Sequence, residues 1–134
     1  MTDFVVDASV ACGWVLPDEA SIVGNTAYTR LQTHKALAPD LFWHEARNVL
    51  MMTYRRKRID FAMVSTAMAI LRMLPIHTLG QPHDRLILTL AERHGLTAYD
   101  AAYLALALET RLPLATLDKQ LNAAATQEGV PLLA

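Results

Sequence analysis

The chain has 134 residues, 53% hydrophobic and 19% charged, a composition that excludes disordered and coiled-coil classes. Lys+Arg of 12 against Asp+Glu of 13 gives a net charge of −1, so bulk positive charge does not drive it onto nucleic acid, although a local basic patch stays open. One cysteine, Cys12, leaves no disulfide framework and no cysteine-rich zinc site.

Phe4-Val5-Val6 is a short apolar run stopped by Asp7 and reads as a buried strand. Asp18 follows Pro17 and is placed to cap a helix reaching about Thr33. Leu37-Ala38 reads as a weak strand ended by Pro39, and Asp40 then caps a helix from Leu41 to about Arg56. Asp60 caps another, from Phe61 to Leu74, which Pro75 breaks. Ile76 to Leu79 follows as a strand, and His83 to His94 as a helix closed by Gly95. Thr97 opens a helix to about Arg111, Pro113 to Leu117 is a strand, and Asp118 caps a last helix ending near Gly129. Val130 to Leu133 reads as a final strand.

Short apolar strands alternating with helices predict an α/β fold with a mostly parallel central sheet flanked by helices. No repeat or linker is visible, so residues 1–134 read as one domain. The uncharged stretch 61–71 is too short to span a bilayer, and Met1-Thr2-Asp3 is a poor signal-peptide start. A cytoplasmic protein without a membrane partner is the expectation.

Ligands in parallel α/β folds gather beyond the carboxyl ends of the strands. Asp7 and Asp118 stand at two such ends, where each also suits a helix cap. Glu45 falls at the i+3 position of the apolar stripe Phe42, Ala46, Val49, Leu50, a place where a charge needs a partner or a metal. Asp100 opens the apolar run 101–108, and Thr97 to Asp100 also fits a capping box with Asp in place of Glu. Were all four acids to converge within roughly 5 Å, each pair would repel by roughly 3 kcal/mol and the six pairs by about 20 kcal/mol. Whole-domain stability is only about 5–15 kcal/mol. Such a cluster must be partly protonated or neutralised, and without thiolates Mg²⁺ or Mn²⁺ is the natural cation.

Val5-Val6-Asp7-Ala8-Ser9 and Ala38-Pro39-Asp40-Leu41 leading to Glu45-Ala46-Arg47-Asn48-Val49-Leu50 resemble the first half of a PIN domain. Leu96-Thr97-Ala98-Tyr99-Asp100-Ala101-Ala102-Tyr103 and Pro113-Leu114-Ala115-Thr116-Leu117-Asp118 resemble the second half. The order and spacing are similar to the VapC toxins of bacterial toxin–antitoxin pairs, over nearly the whole chain. The resemblance implies a PIN-like three-layer fold and a metal-dependent ribonuclease whose four acids are Asp7, Glu45, Asp100 and Asp118. Asp7 and Asp100 match the firmest metal ligands, and Glu45 and Asp118 complete the pocket directly or through water. Ser9 and Thr116 match small hydroxyl residues that support the acids or the scissile phosphate. It further implies attack by metal-activated water, leaving a 5′ phosphate and a 3′ hydroxyl, a VapB-like antitoxin that covers the pocket, and a toxin homodimer.

The basic run Arg55-Arg56-Lys57-Arg58 reads either as a phosphate track for RNA or as a solvated helix end. Trp14, Trp43 and Tyr99 can stack unpaired bases, but packing is the more ordinary role for each. His44 at i+1 points away from Glu45, Cys12 suits a small core site, and Asp84 suits the first turn of a helix. Met51, Met52, Met63, Met68 and Met73 suit a core or, with the resemblance, a partner surface. Three rival readings differ in chemistry. A dehalogenase-like phosphatase needs Asp-x-Asp after the first strand, where Ser9 stands instead, and a phosphoacceptor receiver needs acid pairs and a late Lys that are missing. A non-catalytic PIN-like binding module is left as the alternative to the nuclease.

Overall fold

The computed structural model describes residues 2–17, 19–80 and 83–133. Strands β1 (Phe4–Val6), β2 (Ala36–Pro39), β3 (Ile76–Leu79) and β4 (Leu114–Ala115) form one parallel sheet in the order β3-β2-β1-β4. Among the described residues seven helices flank it: α1 (Ala8–Gly13), α2 (Ile22–Arg30), α3 (Phe42–Arg55), α4 (Phe61–Met73), α5 (Asp84–His94), α6 (Ala98–Thr110) and α7 (Lys119–Gln127). No helix among the described residues is long and apolar enough to cross a membrane.

The two central strands are buried on both faces, which is why they read as apolar runs without alternation. Helix α6 packs against β1, β2 and β4, and its residues Ala101 to Ala107 are all buried, as a helix apolar on every side must be. The small alanines let α6 approach the sheet closely, and Leu104 and Leu106 fill the space between. Caps fix the helix starts. Asp60 accepts from the Met63 amide at 2.8 Å, Thr97 from the Asp100 amide at 3.1 Å, and Asp118 from the Leu121 amide at 2.8 Å. Gly95 ends α5 at φ 64°, a conformation that glycine adopts without steric cost. Gln120 of α7 donates to the Gly95 carbonyl at 2.8 Å and so ties the end of α5 to α7.

Several expectations are corrected here. The cap Asp18 lies outside the described residues, and α2 starts at Ser21, whose hydroxyl accepts from the Gly24 amide at 2.9 Å. A Cβ at position 24 would stand 2.7 Å from that hydroxyl, which would have to turn away and give up its cap. Helix α3 starts after Leu41 without a side-chain cap, rather than on Asp40. The strand expected at 113–117 has only two paired residues, and Thr116 beyond them gives its hydroxyl to Asp7. The strand expected at 130–133 reduces to one bridge between Leu132 and Leu114, since Pro131 has no amide for a ladder. Met51, Met63 and Met68 pack against the core, whereas Met52 and Met73 are exposed. Asp84 lies in the first turn of α5, as a dipole-stabilising acid should.

Because Leu104 of α6 is fully buried, Leu104→Ala should lower the unfolding free energy by about 2–5 kcal/mol, read by urea denaturation. A loss under about 1 kcal/mol would contradict this packing.

Candidate active site

The register of β1 on β4 builds the centre of the site. Val6 pairs with Ala115, so the chain positions that follow them, Asp7 and Thr116, leave the sheet side by side. Asp7 is only 7% exposed, an unusual place for a carboxylate, and it is held by three donors. Its Oδ1 accepts from the Ser9 hydroxyl at 2.7 Å and from the Val10 amide at 3.0 Å, which makes it the N-cap of α1. Its Oδ2 accepts from the Thr116 hydroxyl, and that same hydroxyl accepts from the Asp118 amide at 3.1 Å. One threonine thus joins two of the sequence-predicted acids. Both predicted hydroxyl residues, Ser9 and Thr116, meet at Asp7.

Glu45 comes from the first turn of α3 and is half-buried. Its Oε1 accepts from the Tyr103 hydroxyl at 2.6 Å. Tyr103 also receives the Ala8 amide, so it links the Glu45 carboxylate to the start of α1 beside Asp7. The sequence argument took Tyr103 as part of an apolar run. Its signal was there: it is the one hydroxyl in the run 101–108, and a buried tyrosine hydroxyl needs a partner. Asp100 lies in the first turn of α6, half-buried, and Asp118 caps α7 in the open.

The acids feel one another's charge. Burial first, then the Asp100 charge, pushes the Asp7 carboxyl up, against the lowering pull of Thr116, Val10 and Ser9. Glu45 is raised by burial and by Asp100 and Asp7, and Asp100 by burial and by Asp118. The Cys12 thiol, buried beside Asp7 and Glu45, is pushed up to about 12 and stays protonated, so it is a core group and not a ligand. Burial and the Glu45 charge likewise push Tyr103 up and keep it a donor. The ion pairs of the described residues are Arg58–Glu19, Arg93–Glu128 and His94–Glu128, and none neutralises the four acids.

The donor set therefore fits a hard divalent cation: carboxylate oxygens, mutually repelling, with no side-chain counter-charge. The tight convergence supposed from sequence is not seen. Among the described residues, no three His, Cys, Asp or Glu side chains stand close enough to hold one ion as they are placed. Asp7 is the fixed member, pinned by three hydrogen bonds, and the others surround it more loosely.

Other sequence candidates sort differently. Arg55 ends α3, Arg56 is its C-cap and Lys57 follows at φ 62°, so the basic run occupies the helix end opposite to Glu45. Ten residues of α-helix separate the two by about 15 Å. Arg58 is held by Glu19 at 2.8 Å. Trp14 packs edge-on against Tyr28 and donates to the Gly24 carbonyl, and Trp43 lies under the Arg72 guanidinium, 3.8 Å from its ring centre. Tyr99 is not packed: it is 63% exposed and lines a cleft beside Glu45. His44 lines the same cleft.

Residues 4–127 match the PIN domain family. Over 121 residues the chain is 36% identical to "Ribonuclease VapC3" of Pyrobaculum aerophilum, a match spanning 87% of this chain and 90% of that protein. The crystal structure of PAE2754 from Pyrobaculum aerophilum superposes with a TM-score of 0.70 at 27% identity, covering 92% of this chain and 79% of that one. The Mycobacterium tuberculosis toxin VapC20, described as cleaving the sarcin-ricin loop, superposes with a TM-score of 0.59 at 16% identity over 90% of this chain and 94% of its own, and shows the fold alone. Fold and site together define a parallel α/β protein with a buried, hydrogen-bonded carboxylate at the carboxyl edge of its sheet. The chain belongs to the PIN domain family.

A carboxyl raised in the native state binds its proton more tightly folded than unfolded. Stability then falls as pH rises from the unfolded carboxyl range, about 4, through the raised native value, and stays low above it. In EDTA, the wild type should lose stability over this window more steeply than Asp7→Asn, which keeps the cap without the charge. Urea midpoints at stepped pH measure this, and parallel pH profiles would count against a raised Asp7 carboxyl in the folded protein.

Proposed function

We propose that this protein is a VapC-type ribonuclease toxin, a cytoplasmic endoribonuclease that uses Mg²⁺ or Mn²⁺ to hydrolyse RNA phosphodiesters. The observation that carries this reading is the Asp7 carboxylate, pinned at the edge of the sheet and raised by burial and then by the Asp100 charge, with no ion-paired cation on the four acids among the described residues. The likeness to Ribonuclease VapC3 over most of both chains supports the same reading.

Asp7, Asp100, Glu45 and Asp118 would hold the ion, directly or through water. When bound, it supplies charge neutralisation at the phosphate and acidifies water near neutral pH. The chain's own residues preorganise the rest. Ser9, Val10 and Thr116 fix the direction of the Asp7 oxygens, so no side-chain freedom is lost there on binding. Tyr103, held protonated, orients Glu45. Thr116 couples Asp7 to the start of α7 and so sets where Asp118 stands.

The reading includes a VapB-like antitoxin and a homodimer. Exposed Met52, Phe61, Ile70 and Met73 on α3 and α4 give these partners an apolar surface.

The test is cleavage of a panel of purified structured RNAs by wild type and by Asp7→Asn purified in parallel, in Mg²⁺, Mn²⁺ or EDTA. Discrete fragments should come from wild type with metal, and Asp7→Asn should be slower by about a hundredfold or more, as expected for loss of one electrostatic group at the centre. Equal cleavage by the two proteins, or cleavage undiminished in EDTA, would refute the assignment.

A further inference from the structure

Beside the acids lies a cleft of about 330 Å³ lined by Leu41, His44, Glu45, Asn48, Val49 and Tyr99. Its volume is near the lower end of ligand sites, about 300–1,000 Å³. Two elements frame it: the first two turns of α3 and the N-terminus of α6, where Tyr99 immediately precedes Asp100.

Tyr99 is the unusual wall. The other exposed aromatics have ring partners: Tyr28 meets Trp14, and Phe61 meets Tyr54. Tyr99 takes part in no ring pair or cation–π contact among the described residues and is the most exposed of the three. It stands out from a helix whose next turns are wholly buried, so packing does not account for it. Helix α3 supplies polar side chains to the cleft. Arg47 lies 2.9 Å from His44 Nδ1, and because a guanidinium cannot accept, Nδ1 does. In that tautomer the proton sits on Nε2, a donor for which no partner stands among the described residues. Asn48, four residues beyond His44 on the same helix, adds an amide that both donates and accepts. Leu41 and Val49 supply apolar surface.

A flat aromatic face, apolar surface and side chains that read both donors and acceptors suit one unpaired nucleobase, the form in which RNA bases are recognised. We propose that this cleft binds one unpaired base of the RNA strand, stacked on Tyr99 and edge-read by Asn48 and His44, next to the phosphate that the acids receive. This rests on the ribonuclease reading of the adjoining site. A base seated here fixes the strand's register on the acids, so the cleft selects single-stranded or bulged RNA over duplex. Tyr99, Asn48 and His44 are in this sense positioning residues.

The test separates binding from turnover. Fluorescence anisotropy with labelled single-stranded octamers of adenosine, uridine or cytidine is run in Mg²⁺ on Asp7→Asn, on Asp7→Asn/Tyr99→Ala and on Asp7→Asn/Tyr99→Trp. At least one octamer should bind Asp7→Asn, bind the Tyr99→Ala protein about tenfold or more weakly, and bind the Tyr99→Trp protein within about threefold of Asp7→Asn. A hairpin duplex of the same length should not distinguish the three proteins. Equal octamer affinities for Ala and Tyr at position 99 would overturn the proposal and leave the cleft to a protein partner. Failure of Asp7→Asn to bind any octamer would overturn it too. Cleavage by the Asp7 protein tests the parent reading separately: wild-type cleavage whose site choice and KM are unmoved by Tyr99→Ala sinks the cleft alone. Absence of cleavage sinks the nuclease and leaves the binding result to stand or fall by itself.

Discussion

The buried carboxylate of Asp7 is the constraint around which the rest of the site is arranged. A charge taken out of water is costly unless hydrogen bonds replace its hydration. Here the replacement comes from two hydroxyls and one amide, drawn from α1 and from the end of β4. The parallel register of β1 on β4 is what delivers the Thr116 hydroxyl to Asp7, so sheet pairing and site geometry are one feature. The small alanines of α6 then let the helix pack against these strands and present Asp100 at its first turn.

Helix N-termini offset part of the acidic repulsion. Asp7 caps α1, Asp118 caps α7 and Asp100 occupies the first turn of α6. Each such placement contributes about 0.3–1 kcal/mol, against roughly 3 kcal/mol for a close pair of like charges. The dipoles are smaller than such a repulsion, and burial first, with the neighbouring acids adding to it, raises the carboxyls of Asp7, Glu45 and Asp100. The protein thus carries an electrostatic deficit concentrated at one place on its sheet edge. A bound cation would remove it, which would link stability to the function proposed for the site.

Much of this was legible in the sequence because strong local signals agreed with the fold. Asp60 and Thr97 announce helix starts, Gly95 announces an end, and the apolar run after Asp100 announces a buried helix. The acids were legible for the opposite reason: Glu45 breaks an apolar stripe and Asp7 ends a buried strand, and such conflicts mark sites. What escaped depends on partners distant in sequence. Tyr103 looks apolar until Glu45, 58 residues away, takes its hydroxyl. Tyr99 looks like packing until the cleft between α3 and α6 exists. Residues 130–133 are apolar enough for a strand, but Pro131 removes a ladder donor and only one bridge forms.

The most direct measurement of the account is calorimetric titration of Mn²⁺ into wild type, Asp7→Asn and Asp100→Asn at mildly acidic pH, in two buffers of different ionisation enthalpy. Carboxyls raised in the free protein must give up protons to receive a cation. The account predicts Mn²⁺ binding to wild type with net proton release, and weaker binding with less release in both variants. Absence of Mn²⁺ binding, or equal affinity and proton release in all three proteins, would contradict it.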